Sequence, residues 1–187
     1  MKKRIFDFFL AILLFLVFIL PMVAISIAIK TTSPGKVLFW SERVGKDNKI
    51  FLMPKFRTMR VGTPQLATHL LKNVDEAYTP IGKSLRSYSL DELPQLLSVL
   101  KGDMSFVGPR PALFNQDDLI DLRGKLDINR LKPGITGWAQ INGRDELSIE
   151  EKANFDREYV DRKSLSFDFY IIWLTVLKVI KKDGVSH

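Results

Sequence analysis

The sequence predicts an α+β fold, mainly helical, with an N-terminal re-entrant membrane helix, a small β-hairpin and amphipathic interfacial helices. Three observations carry this expectation. Phe8 to Ile29 is an apolar run of 22 residues with Ser26 as its only polar side chain. Two short apolar-rich runs, Val37–Val44 and Ile50–Arg57, are joined by the turn-forming Gly45-Lys46-Asp47-Asn48-Lys49. Leu90, Leu93, Leu96, Leu97 and Leu100 recur at helical spacing. A length of 187 residues predicts one domain and at most a small second module. The expected division is therefore residues 1–30 as the membrane helix and 31–187 as one domain on the cytoplasmic face.

As a straight helix, the first apolar run would be about 33 Å long, enough to cross a bilayer core. Three readings compete. Lys2-Lys3-Arg4 and the small residues at Ser26 and Ala28 suit a signal peptide, but the run is longer than a usual signal core. A spanning anchor has basic residues on both flanks: three before it, then Lys30, Lys36, Arg43, Lys46 and Lys49 after it. The positive-inside rule therefore chooses no side. A helix broken at Pro21, which lacks an N–H, could enter the membrane and return to the same face. Re-entry is favoured because it alone keeps both basic flanks cytoplasmic.

Beyond the hairpin, residues 61–80 read as a loop with a short helix around Leu66–Lys72. Residues 90–101 read as an amphipathic helix stopped by Gly102-Asp103. Pro109-Arg110-Pro111 must be extended, because a residue preceding proline avoids the α region. Residues 115–123 look helical, with Asp117-Asp118 in the first turn. Residues 133–144, with three glycines and a proline, read as a structured loop, and Trp138 within it as a core residue. Ser148–Lys163 reads as an exposed charged helix. Phe167–Ile180 is apolar and too short to span. It is either an interfacial helix or a buried core helix.

Composition excludes several functions. There are no cysteines, so disulfides, cysteine-ligated metal and cysteine catalysis are out. Only His69 and His187 could serve as imidazoles, and His69 reads as a solvated residue. The net charge is +7, and all of its excess lies in residues 1–60, with eleven basic and three acidic side chains. A basic zone beside an apolar segment suits an anionic membrane surface. No zinc-finger or RNP signature is present, and no nucleic acid is expected as a partner.

Ser89-Leu90-Asp91-Glu92 has two readings. Ser89 and Glu92 match a capping box, which would explain Glu92 without function. Vicinal carboxylates near Arg86, Arg110 and Arg144 equally suit phosphate chemistry. Carboxylates hold Mg²⁺, arginines bind phosphate oxygens, and an aspartate can attack phosphorus. The residues alone leave both readings open.

The string SLDELPQLLSVLKGDMSFVGPRP, Ser89–Pro111, followed by KPGITGWAQINGR, Lys132–Arg144, resembles the bacterial sugar transferases, the small monotopic phosphoglycosyl transferases. Lys3–Ala11, KRIFDFFLA, and Lys55–Met59, KFRTM, match the same pattern in the same order. The resemblance covers nearly the whole chain. It implies transfer of a sugar 1-phosphate from a UDP-sugar to polyprenol (undecaprenyl) phosphate, giving UMP, at the cytoplasmic face of the bacterial inner membrane. By the same resemblance Asp91 is the nucleophile of a covalent phosphosugar intermediate and a contact of the required Mg²⁺. Glu92 is its dyad partner, and Arg110 binds phosphate. Arg86, Arg144, Lys55, Arg57 and Gln140 are further substrate-binding candidates. One departure is Leu20 before Pro21, where relatives often carry a small polar residue. Two other functions stand against this one. One is a non-catalytic membrane module that binds nucleotide-sugars or lipid phosphates. The other is a secreted protein that has lost residues 1–28.

Overall fold

The computed structural model describes residues 1–64, 74–143 and 146–181. The helix expected at Leu66–Lys72, His69 and Arg144 lie outside the described residues.

Helix α1 (Lys2–Thr32) contains the whole apolar run, and its helical backbone continues without interruption through Pro21, the expected site of a break. Proline still removes the amide that would serve the Val17 carbonyl. One turn on, Ser26 Oγ donates to the Met22 carbonyl at 2.7 Å, so the run's single hydroxyl is turned back onto its own helix. α1 is long and apolar enough to cross a bilayer, yet both of its ends are fastened to the domain. At its start Lys3 Nζ donates to Asp168 Oδ2 at 2.6 Å, Arg4 Nη2 donates to the Leu100 carbonyl at 2.7 Å, and the buried Asp7 accepts from the Phe106 amide at 3.2 Å. At its end Ile29 packs with Phe56 and Leu85, and Arg57 donates to Ser33 Oγ at 2.9 Å and to the Pro34 carbonyl. Between these ends Leu13, Leu16, Val17, Leu20 and Val23 are exposed.

Strands β1 (Leu38–Val44) and β2 (Ile50–Phe56) form the expected antiparallel hairpin, in register from Leu38↔Phe56 to Val44↔Ile50. Its loop places Asp47 and Asn48 at φ 55° and 58°, which short polar side chains tolerate better than most. Short helices α2 (Val74–Ala77) and α3 (Gly82–Ser87) follow.

The single helix expected over 90–101 is instead two pieces: a 3-10 turn, Leu90–Gln95, and α4 (Leu96–Lys101). Ser89 opens the turn in the left-handed region, φ 54°, and Pro94 lies within it. α4 stops at Gly102, φ 99°, as its sequence predicts.

The glycine-rich stretch is more regular than expected. It contains β4 (Gly134–Thr136), paired in parallel with β3 (Ser105–Val107), and α6 (Trp138–Ile141). Glycine makes this possible by close approach. A Cβ on Gly134 would lie 2.2 Å from the Gly108 nitrogen, and one on Gly137 would lie 2.1 Å from the Gly108 oxygen. α5 (Asp117–Lys125) and α7 (Ile149–Arg162) form as expected, the latter behind a complete capping box of Ser148 and Glu151.

α8 (Leu165–Lys181) resolves its two readings by face. Phe167 and Ile171 are buried, whereas Phe169, Tyr170, Trp173, Val176 and Val179 are exposed. The main core joins Ala11 of α1, Met53 of β2, Leu96 and Val99 of α4, Phe106 of β3, Tyr159 of α7 and Ile171 of α8. Trp138 packs against this core, with its ring centroid 5.2 Å from that of Phe167.

Candidate active site

The 3-10 turn that replaces the first half of the expected helix presents Asp91 and Glu92 to two different cavities. Asp91, 4% exposed, faces a cavity of about 110 Å³ whose lining includes Arg43, Lys55, Arg57 and Arg86. Glu92 lines a larger, mostly apolar cavity of about 510 Å³, bounded by Leu14 and Phe18 of α1, Gln140 of α6 and Val179 of α8.

Ser89 and Glu92 do not form a capping box. The Ser89 side chain makes no capping bond, and its left-handed backbone is not the extended conformation such a cap uses. Glu92 Oε1 instead accepts from Lys55 Nζ at 2.8 Å and from Arg110 Nη2 at 3.3 Å. Glu92 is thus a carboxylate held between two cations from different elements. Left-handed backbone at a serine costs energy, and strain of this kind persists where surrounding structure enforces it, as around functional groups.

Lys55 reaches the site from β2. Directly opposed residues of an antiparallel pair share a face, and the register pairs Phe39 with Lys55 and Arg43 with Phe51. Arg43 therefore sits on the Lys55 face of the hairpin. It donates to Ser41 Oγ at 3.0 Å and to the Pro111 carbonyl at 3.2 Å. Arg43 is the cation that sequence reasoning missed, and strand alternation combined with the hairpin register was the signal that could have found it.

Arg110 lies between Pro109 and Pro111 on a segment held from several sides. Gly134 N donates to the Pro109 carbonyl at 2.9 Å, Arg123 donates to the Arg110 carbonyl at 2.8 Å, and Val44 N donates to the Ala112 carbonyl at 3.0 Å. Arg123 is itself fixed by Asp156 Oδ2, at 2.6 Å from its Nη2 and 3.0 Å from its Nε. Arg86 stands on α3 with its guanidinium 5.7 Å from the centre of the Tyr78 ring. Arg57 lines the Asp91 cavity while tying down the end of α1, and its buried Nε has no partner among the described residues. Gln140 lines the Glu92 cavity, not the Asp91 cavity, and donates to the Ile135 carbonyl at 3.1 Å.

The electrostatics follow from burial and crowding. Burial pushes the Asp91 carboxyl above the usual carboxylate range. Lys55 opposes this, Glu92 adds to it, and Arg86 and Arg110 oppose it further. Burial likewise lowers the Lys55 ammonium, against the pull of Glu92 and Asp91. Arg43 is pushed down to about 10, by burial first and then by Arg110. Among the described residues Arg43, Lys55, Arg86 and Arg110 surround two carboxylates, Asp91 and Glu92, an excess of positive charge suited to a polyanion.

No group of three metal-binding side chains occurs among the described residues. The donors present suit a hard cation that takes one carboxylate and fills its remaining positions with substrate oxygens and water, which is how Mg²⁺ is commonly held.

A family model described as bacterial sugar transferase matches residues 1–182. Among similar proteins, the uncharacterized sugar transferase EpsL of Bacillus subtilis (strain 168) is 44% identical over 190 residues, covering 99% of this chain and 90% of that protein. The UDP-glucose:undecaprenyl-phosphate glucose-1-phosphate transferase of Escherichia coli (strain K12) is 42% identical over 184 residues, covering 94% of this chain. The UDP-N-acetylgalactosamine-undecaprenyl-phosphate N-acetylgalactosaminephosphotransferase of Aeromonas hydrophila is 36% identical over 187 residues, covering 97%. The chain spans 39% of the length of the Escherichia coli relative and 44% of that of the Aeromonas one.

Proposed function

The chain belongs to the bacterial sugar transferase family, and from that premise we propose that it moves a sugar 1-phosphate from a UDP-sugar to polyprenol phosphate at the inner face of a bacterial cytoplasmic membrane. The observation that carries this reading is the buried Asp91, facing a small cavity walled by arginines and a lysine.

The first half of the reaction uses Asp91 as nucleophile. One carboxylate oxygen attacks the phosphorus that bears the sugar. That bond forms as the bond to the bridging oxygen of UMP breaks, and UMP leaves with the electron pair. In the second half, an oxygen of the polyprenol phosphate attacks the same phosphorus. The Asp91 carboxylate departs, and the polyprenol diphosphate sugar is released. Two acceptors in succession give ping-pong kinetics.

Phosphoryl transfer depends mainly on positioning and on stabilising charge. Arg43, Arg86 and Arg110 bind diphosphate oxygens, and Lys55 holds Glu92 in place while favouring ionised Asp91. Mg²⁺, when bound, neutralises diphosphate charge, with Asp91 as its protein contact. The apolar cavity beside Glu92, walled by α1 and α8, admits the acceptor lipid from the membrane side. Because both ends of α1 are fastened to one domain, we place both on the same face of the membrane, in the monotopic arrangement.

The test is UMP release in detergent with Mg²⁺, polyprenol phosphate and a panel of UDP-sugars. Wild type releases UMP with at least one sugar, and Asp91→Asn loses the activity by about three orders of magnitude or more while remaining folded. Equal release by both proteins would remove Asp91 from the mechanism. A folded but silent wild type would favour a non-catalytic binding module.

A further inference from the structure

A second cavity, of about 440 Å³, lies at the start of α1, lined also by the β3 residues Ser105 and Val107 and by the first residues of α8. Six basic side chains line it: Lys3, Arg4, Lys46, Arg130, Lys132 and Lys163. Among the described residues two carboxylates, Asp7 and Asp168, line it with them, and both are engaged; of the cations, Arg130 also pairs with Asp127 at 2.9 Å and Lys46 with Asp47 at 3.8 Å, both outside the cavity lining. Asp168 accepts from Lys3 at 2.6 Å and from Tyr159 at 2.7 Å, and Asp7 accepts from the Phe106 amide.

We propose that this cavity binds the phosphate headgroup of an anionic membrane lipid. Arg4 and Lys132 converge beside Gly102, where a Cβ would lie 3.3 Å from Arg4 Nη2 and 3.5 Å from Lys132 Nζ. Lys132 forms no ion pair among the described residues. Its ammonium is held below the ordinary lysine value by burial and then by the like charge of Arg4, with Lys46 adding to the repulsion and Asp7 and Asp103 opposing it. An anion seated between these cations relieves the crowding. Val107, Leu131 and Leu165 give the cavity an apolar side that suits a glycerol backbone better than a free inorganic ion. Position points the same way. α1 leaves the cavity as a helix with Ile5, Phe8 and Phe9 exposed, so the cations stand where the apolar surface begins, at headgroup depth. The site is separate from the Asp91 cavity and does not depend on the reaction proposed above.

The test is lipid binding by the purified full chain in detergent, followed by native mass spectrometry with dioleoyl phosphatidylglycerol against dioleoyl phosphatidylcholine. Wild type is expected to hold the anionic lipid about tenfold more tightly or better, and Lys46→Gln/Lys132→Gln to lose that preference. A control, Lys30→Gln/Lys36→Gln, removes the same charge at the far end of α1 and keeps the preference. Lys46→Arg/Lys132→Arg keeps it as well, showing that charge is what the site reads. Equal loss in both Gln variants would mean diffuse attraction and overturn the proposal. So would no headgroup preference in wild type, loss in the Arg variant, or displacement of the lipid by millimolar inorganic phosphate.

Discussion

Lys55 and Glu92 meet at 2.8 Å across the boundary between β2 and the 3-10 turn, with both side chains largely out of solvent. Each lies beside Asp91, so this pair fixes the electrostatic setting of the proposed nucleophile. Breaking a buried pair by removing one partner leaves an uncompensated charge, which costs about 3 kcal/mol. Lys55→Met and Glu92→Gln should each destabilise by about that amount. The double variant should lose less than their sum, with a coupling of about 1–2 kcal/mol, as read from denaturant unfolding. Strict additivity would show that the pair contributes nothing.

The pH dependence follows from the raised Asp91 value. A nucleophilic carboxylate must be ionised, so activity falls as pH drops through its pKa. The acid limb of kcat/KM should therefore lie above the ordinary carboxylate range of about 4. Lys55 is the strongest influence holding that value down, so Lys55→Met should move the limb to still higher pH. A limb that stays put in this variant would separate Lys55 from Asp91.

Membrane topology can be read with single cysteines, because the native chain has none. Lys2→Cys and Lys36→Cys flank α1. In inverted membrane vesicles, an impermeant maleimide should label both to the same extent. Opposite labelling would make α1 a spanning helix and break the fastening seen at its two ends.

Two glycines should respond in opposite directions to alanine. Gly134→Ala drives a Cβ to 2.2 Å from backbone and should cost more than about 3 kcal/mol or prevent folding. Gly124 lies within α5 with nothing near its Cβ position, so Gly124→Ala should stabilise by about 0.5–1 kcal/mol. Thermal unfolding of the two variants checks both.

Much of the architecture is legible because local signals and tertiary packing agree. The apolar run, the hairpin with its polar turn, and the capped α7 all form where their sequences place them. The failures have identifiable causes. Leucine spacing over 90–101 predicts one helix, but packing and Pro94 favour a tighter turn before Leu96, and that turn delivers Asp91 inward. Gly134 and Gly137 read as loop residues because their purpose, contact with the Gly108 backbone, lies almost thirty residues away. The capping motif at Ser89 is correct as a pattern and wrong as a bond. The partners of Glu92, Lys55 and Arg110, belong to other elements that a local pattern does not contain. The same remoteness hid Arg43 until the register of the hairpin was known.

The contact between Asp7 and Phe106 also orders events during synthesis. The two residues are 99 positions apart, so α1 leaves the ribosome long before its partner strand exists. At about 5–20 residues per second, that interval is roughly 5–20 s. A carboxylate does not enter hydrocarbon without a compensating donor. Throughout this interval the first two turns of α1 must stay in water or among headgroups while the apolar remainder is free to meet the bilayer. In the membrane-bound arrangement proposed above, the nascent chain would meet the bilayer by the middle of its helix, and the tip would be seated last, when β3 has been made and offers its amide.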